Sequence, residues 1–456
     1  MSNNFSEESS TFIKKICDGY EINNHINSEH FNNHHIKRGL RNQDGTGVVA
    51  GVTRIGNVRG YSIIDEDRVP IDGILTYRGI NVYDIIDGIS KDDRFGFEEV
   101  AYLLLMGKLP TSEELLEFNR ILTYHRTLPH NFTEDMIIKA PSANIMNKLA
   151  RSVLALYSFD EKPDDTSLEN MVRQSLDIIA RLPIIAAQAY QVKRHYYENK
   201  SMHLHVPPEE LSSAESLLYC MRSDRTYTDE EAKLLDKCLI LHAEHGGGNN
   251  STFTTRVLSS SGTDTYSAIA ASICSLKGPL HGGANKQVSD MLRDIEANVK
   301  NWKSDDEVSE YLAKIIRREV GDKSGKIYGM GHAIYTLSDP RAVMLKQHAK
   351  SLASKNGFLD RFELIESVER LTPDVFRTVK GSSKPLCANV DLYSGLVYEM
   401  LGIPQDLYTP IFAIARVAGL CAHRIEEAMT GGRIIRPGYK CVYQKSEYTP
   451  ISEREL

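Results

Sequence analysis

Nowhere in its 456 residues does the chain approach the ~20 uninterrupted apolar residues that a membrane-spanning helix needs, so no membrane partner is expected. It also has no Cys-x-x-Cys pair. The seven cysteines, at 17, 220, 238, 274, 387, 421 and 441, are odd in number and scattered. That pattern indicates neither a disulfide framework nor a zinc ribbon, and it suits thiols kept as small apolar groups in a reducing compartment. Basic charge is not in excess: the net charge is −7, which argues against nucleic acid as a partner. The opening residues MSNNFSEESS lack the apolar core of a secretion signal, and Glu7 and Glu8 do not fit an Arg-rich organelle presequence. The expected location is the cytoplasm. Regular alternation of strands and helices is missing too, which disfavours a parallel α/β sheet.

Apolar residues make up 41% of the chain, enough for a sizeable core and too many for a disordered chain. Residues 1–45, rich in Asn, Ser and His, read as a short helix around Phe12, Ile13 and Ile16 followed by an irregular arm. Its histidines 25, 30, 34 and 35 are expected to be solvated rather than metal-bound. Between Gly45 and Arg78, the runs GVVAG, YSIIDED and DGILTYRG suggest a small antiparallel β element. From Val82 onward the spacing is helical. FEEVAYLLLM (97–106) is a buried helix stopped by Gly107, and Thr111 with Glu114 signals a capped start to the next. Ala140 to Asp160, Thr166 to Asn199 and Asp229 to His245 carry apolar residues at helical spacing, and a final helix is expected to start at a Thr409 cap with Pro410 in its first turn. The fold is therefore expected to be mainly α with a minor N-terminal β element. The charge-rich stretch from about 283 to 390 reads as a smaller helical domain inserted into a larger one. In numbers, 1–45 is the arm, 46–282 with 393–456 the large helical domain, and 283–392 the small one.

Four segments concentrate His, Arg, Asp and Gly among apolar neighbours: LHAEHGGGNNST (241–252), GPLHGGAN (278–285), YGMGHAIYTLSDPR (328–341) and ANVDLYSG (388–395). His281 and His332 are each framed by glycines, which lets the backbone pack close to a ligand. Imidazole is also the side chain that exchanges protons most readily near neutrality. His281 can equally be a turn residue satisfied by backbone. Asp391, in an apolar run, is either a helix N-cap or a desolvated general base. Arg416 sits in an apolar helix and needs an anion, either Glu426 or Glu427, or a substrate carboxylate. His242 and His245 are three apart, without the His-Glu-x-x-His order of metalloproteases or an evident third ligand, so no metal is expected. GGGNNST has no Lys before its Ser-Thr and is not a phosphate-binding loop.

Taken together, LTYRGINVYDI (75–85), FEEVAYLLLMGKLPT (97–111), HAEHGGGNNSTFTTR (242–256), GPLHGGAN, GMGHAIY with DPR, and NVDLYSG resemble the citrate synthase family, in the family's order from about Gly45 onward. The resemblance implies condensation of acetyl-CoA with oxaloacetate and water to citrate and CoA, the entry step of the tricarboxylic acid cycle. Acetyl-CoA would be a co-substrate, with no tightly bound cofactor. By the same resemblance Asp391 is the base, His281 the donor to the enolate oxygen and His332 the group that polarises the oxaloacetate ketone. His245, Arg341, Arg416 and Arg436 would hold the dicarboxylate, with Ser251 orienting the catalytic His. Backbone at Gly329 and Gly331, with Lys384, would bind CoA. The family's homodimer, with Arg436 crossing from the partner subunit, implies shared active sites. Met330 and Lys286 depart from the residues common in the family at their positions. Two alternatives remain open from the residues: a 2-methylcitrate synthase acting on propionyl-CoA, which differs by one methylene in an apolar pocket, and a metal-dependent hydrolase built on His242 and His245.

Overall fold

Apolar residues at a 3.6-residue period form amphipathic helices, and the protein is mainly helical, as that period predicts. The computed structural model describes residues 2–42, 44–65, 67–382, 385–443 and 445–454; Lys384 lies outside the described residues. The chain forms two compact units, one of residues 1–50 with 436–456 and one of residues 51–435.

In the first unit, α1 (Ser2–Asn24) is longer than the short helix the composition suggested, and α2 (Glu29–Asn33) follows it. No Pro occurs in this stretch and no Gly before Gly19, while Phe12, Ile16 and Tyr20 recur every fourth residue. These three side chains and Ile13 are exposed. The C-terminal part of this unit is largely irregular.

The second unit opens with the expected antiparallel element, β1 (Gly56–Ile64), β2 (Asp67–Tyr77) and β3 (Ile80–Asn81), in that order across the sheet. Gly56 pairs with Tyr77 and Ile64 with Asp67, with a register shift between Arg59 and Tyr61. The helices follow: α3 (Val82–Lys91), α4 (Phe97–Met106), α5 (Ser112–His125), α6 (Ile145–Leu156), α7 (Leu168–Glu198), α8 (Ser213–Met221) and α9 (Asp229–His242). Gly107 ends α4, and Thr111 and Glu114 form the reciprocal cap of α5, as the sequence indicates. Then come α10 (Asn250–Ser260), α11 (Thr265–Leu276), α12 (Ala284–Asn298), α13 (Asp305–Ile316), α14 (Pro340–Lys355), α15 (Leu359–Lys380), α16 (Asp391–Met400) and α17 (Tyr408–Met429).

Helix α17 is apolar almost all round and lies at the centre, packed on α4, α7, α9, α10 and α11. It begins one residue before the expected Thr409 cap, because the turn Gln405–Leu407 leads straight into it. The Thr409 hydroxyl instead donates to the Gly282 carbonyl at 3.1 Å, tying α17 to the turn that carries His281. Among the described residues no helix is long and apolar enough to cross a membrane.

Candidate active site

Helix α9 stops at His242, so His245 lies in the turn beyond it rather than on the helix. The chain does not return to helix before the glycines that follow His245, and Gly246 takes a φ of +83°. His245 is buried, its ring meeting His332 edge-on at 5.1 Å and Tyr335 at 5.7 Å between centroids. Its Nε2 has no hydrogen-bond partner among the described residues. Burial, then the nearby Arg341, His332, Arg416 and His281, push its pKa well down, so the ring is neutral at pH 7. Among the described residues no group of three or more His, Cys, Asp or Glu is placed to hold a metal ion.

His281 occupies a Gly-rich turn before α12, and its partner is a side chain rather than backbone. Its Nε2 lies 3.2 Å from Oγ of Ser251, a fully buried residue on α10 whose hydroxyl is also 2.8 Å from Oδ1 of Asn249. Burial, with Arg416 adding, lowers the His281 pKa to about 4 and keeps the imidazole neutral.

The loop carrying His332 and the segment leading to Asp391 are joined by backbone. Gly331 N–H donates to Cys387 O at 2.7 Å, and Asn389 N–H donates to Gly329 O at 2.8 Å. Gly329 and Gly331 have φ of +82° and +93°, and a Cβ on Gly329 would press on Leu392 at about 3 Å. Only glycine meets both demands at little cost. The His332 Nδ1 accepts the backbone N–H of Ile334 and of Tyr335, both at 3.1 Å, which leaves the ring proton on Nε2. The loop rests on the small sheet, where Gly73 N–H donates to Ser338 Oγ at 3.1 Å and Thr336 Oγ1 reaches Gly60 O at 3.4 Å.

Asp391 is the first residue of α16, and its carboxylate makes no capping bond. Asn389 does that work: its Oδ1 accepts Asp391 N–H at 3.0 Å while its Nδ2 donates to Gly331 O at 2.9 Å. Asp391 keeps partial exposure, yet desolvation raises its pKa to about 6, against the pull of Arg341 and Arg416 and with a push from Asp339. Of the two roles open from the sequence, the cap falls away.

Arg341 is buried, and Asp339 takes its Nε at 3.0 Å and its Nη2 at 2.8 Å. The same Asp339 accepts Val390 N–H at 3.3 Å, linking this cation to the start of α16. Arg416 is differently placed. It is 0% exposed, donates from Nε to His242 O at 2.7 Å, and lies 4.6 Å above the Phe412 ring. Neither Nη1 nor Nη2 has a hydrogen-bond partner among the described residues. Glu426 and Glu427, the acids expected as its ordinary partners, pair with Arg256 instead. Burial lowers the Arg416 pKa to about 10, opposed by Glu244 and reinforced by Arg341, so it remains a cation at neutral pH. Arg436 belongs to the other compact unit and is exposed.

His245, His281, His332, Arg341, Arg416 and Asp391 thus share one electrostatic neighbourhood, assembled from segments spread over about 170 residues of sequence. Sequence reasoning missed Phe412, which faces His242, His281 and Arg416, and the linking role of Asn389. The four-residue interval from Phe412 to Arg416 on one helix face was the available signal.

A family model described as "Citrate synthase, C-terminal domain" matches residues 43–438. Among curated relatives, citrate synthase of Acidithiobacillus ferridurans is 37% identical over 418 residues, covering 90% of this chain and 97% of that one. Citrate synthase of Synechocystis is 34% identical over 409 residues, covering 90% and 92%. A solved ternary complex of carboxymethyl coenzyme A and oxaloacetate with citrate synthase from the thermophilic archaeon Thermoplasma acidophilum superposes with a TM-score of 0.74 at 28% identity, covering 92% of this chain and 99% of that one. With a family match over most of its length and full-length relatives above 30% identity, this chain belongs to the citrate synthase family.

Proposed function

We propose that this site condenses acetyl-CoA with oxaloacetate and water to give citrate and CoA. The Asp391 carboxylate takes a proton from the thioester methyl, a step suited to a base with pKa near 6. His281 donates to the enolate oxygen that develops; this requires the Ser251 hydroxyl to leave Asn249 Oδ1, to which it donates, and turn toward Nε2, so that the neutral ring carries its proton on Nδ1. The new carbon–carbon bond forms at the oxaloacetate ketone, whose oxygen takes its proton from His332 Nε2–H. Water then cleaves the thioester of the citryl intermediate and releases CoA. Arg341, Arg416 and His245 hold the two carboxylates.

The observation that carries this reading is Arg416, a fully enclosed guanidinium with two unpartnered nitrogens beside two neutral imidazoles and a carboxylate of raised pKa. Such a cation is stable when a carboxylate completes its fork.

On this reading residues 283–392 form a smaller domain that closes over oxaloacetate, excluding water and completing a CoA site from Gly329, Gly331 and Lys384. The enzyme acts in the cytoplasm as a homodimer whose Arg436 enters the partner's site. A continuous thiol-release assay tests the function. Release should require both acetyl-CoA and oxaloacetate; faster turnover with propionyl-CoA, or release independent of oxaloacetate, overturns it. Mixed dimers of Arg436→Leu and Asp391→Asn chains should regain activity, and inactivity of verified mixed dimers refutes site sharing.

A further inference from the structure

Behind the substrate-facing groups lies a buried chain of charges that the proposed chemistry does not use. Glu244 and His423 are both 0% exposed, and His423 Nε2 is 3.0 Å from Glu244 Oε1. On its other side, His423 Nδ1 faces Arg256, with Nη2 at 2.7 Å and Nε at 3.2 Å. Arg256 is in turn fixed by Glu426 and by Glu427, the latter at 2.7 Å. An arginine offers only donors. The His423 Nδ1 must therefore accept, the ring proton sits on Nε2, and that proton points at the Glu244 carboxylate.

Glu244 stands beside the candidate substrate cations. It directly precedes His245, and it lies two residues after His242, whose carbonyl holds Arg416 Nε. On α17, Arg416, Gly419 and His423 follow one another at helical spacing on one face. Gly419 has no Cβ where one would collide with Glu244 Oε2, so helix and carboxylate approach closely. Burial alone would raise the pKa of Glu244, but His423 and Arg416 hold it below the usual range, so it is an anion. Its Oε1 takes both His423 and the Gly246 N–H, the latter at 2.5 Å, while its Oε2 has no hydrogen-bond partner among the described residues. A buried anion and the unpartnered fork of Arg416 therefore lie close together without closing an ion pair.

We propose that Arg256 and His423 act as positioning residues that restrain Glu244, so that Glu244 balances the charge of Arg416 from a distance without occupying the nitrogens meant for a substrate carboxylate. Without the His423 donor, the Glu244 carboxylate would be released to turn to the unsatisfied Arg416 fork, to which it is already electrostatically coupled, and compete with oxaloacetate. This rests on the reading of Arg416 as an oxaloacetate ligand.

Titration calorimetry of the full-length protein with oxaloacetate tests it. His423→Gln places an amide N–H close to the position of Nε2 and should bind oxaloacetate within about threefold of wild type. His423→Asn, whose amide falls near Nδ1 and short of Glu244, should bind about tenfold or more weakly. Adding Glu244→Gln to His423→Asn removes the competing charge and should restore most of the affinity, which a merely structural defect would not allow. Should His423→Asn fail to fold, Glu244→Gln alone decides: with no anion to restrain, it should bind at least as tightly as wild type. Equal affinity of the Asn and Gln variants, a double variant no better than His423→Asn, or tenfold weaker binding by Glu244→Gln overturns the proposal. A wild-type protein that does not bind oxaloacetate overturns instead the functional reading beneath it.

Discussion

Replacing Arg416 with Met should separate binding from stability in a way an ordinary core mutation does not. Burial of this guanidinium lowers its pKa to about 10. At about 1.4 kcal/mol per tenfold in an equilibrium constant, that corresponds to roughly 3 kcal/mol of penalty on the charged form in the folded protein. The penalty applies throughout the neutral range, because the side chain is protonated at any pH below about 10. Met removes the penalty together with the Nε bond to His242 O, a charged hydrogen bond contributing about 1.5–3 kcal/mol, and the contact with the Phe412 ring, about 1 kcal/mol. These contributions nearly offset one another, so the unliganded variant should unfold close to wild type. Oxaloacetate binding should suffer in full. Truncating one partner of a buried charge pair costs about 2–5 kcal/mol, a loss of about 30- to 5,000-fold in affinity. Differential scanning fluorimetry with and without oxaloacetate reads both effects. A ligand at a hundredfold excess over its Kd stabilises wild type by about 2.7 kcal/mol, and at the same concentration this should fall to about 0.9 kcal/mol or less in the variant. An intact oxaloacetate shift, or a large drop in Tm without ligand, would refute the account of Arg416 as an unpaired cation awaiting a carboxylate.

Asp391→Asn should lower turnover by several orders of magnitude in the thiol-release assay while leaving oxaloacetate binding nearly unchanged. Because the Asp391 pKa is raised to about 6, kcat/KM for acetyl-CoA should fall about tenfold per pH step below 6, where the base is protonated. The sign for stability follows from the same shift. A carboxyl raised in the fold favours the folded state at low pH and loses that advantage as pH rises through about 6, so Asp391→Asn should raise Tm above pH 6 and not below pH 4. Ser251→Ala should reduce kcat more than it raises the KM for oxaloacetate, since the serine touches His281 rather than the dicarboxylate ligands; a pure KM effect speaks against it. Gly329→Ala should destabilise the protein by about 1–3 kcal/mol in urea unfolding, because its φ is +82° and Leu392 occupies the space a Cβ would fill.

The sequence announced what depends on local pattern. Period 3.6 after Val82, the Thr111–Glu114 reciprocal cap and the Gly-separated strands all reappear, because each is decided by residues a few positions apart. The glycine-framed histidines were legible for the same reason. Long-range partnerships were not. Arg416 looked as if Glu426 or Glu427 would satisfy it, and only the fold brings Arg256, some 170 residues away, to claim both acids. His245 read as helical until the turn after His242 lifted it out of the helix, and Thr409 read as a cap because the turn at Gln405–Leu407 carries no strong local signal. The raised pKa of Asp391 likewise comes from enclosure, a property that apolar neighbours in sequence suggest but only packing decides.

Asn389 gives the site one mechanical property. With one end of its amide it holds the backbone of Asp391, and with the other the backbone of the loop that carries His332. The proposed base and the group proposed to activate the electrophile are therefore geared to a single hinge pin, and neither shifts unless the other moves with it. Tuning for a longer acyl chain would accordingly have to come from the walls around this pair, because any displacement of the pair itself would disturb both halves of the reaction together.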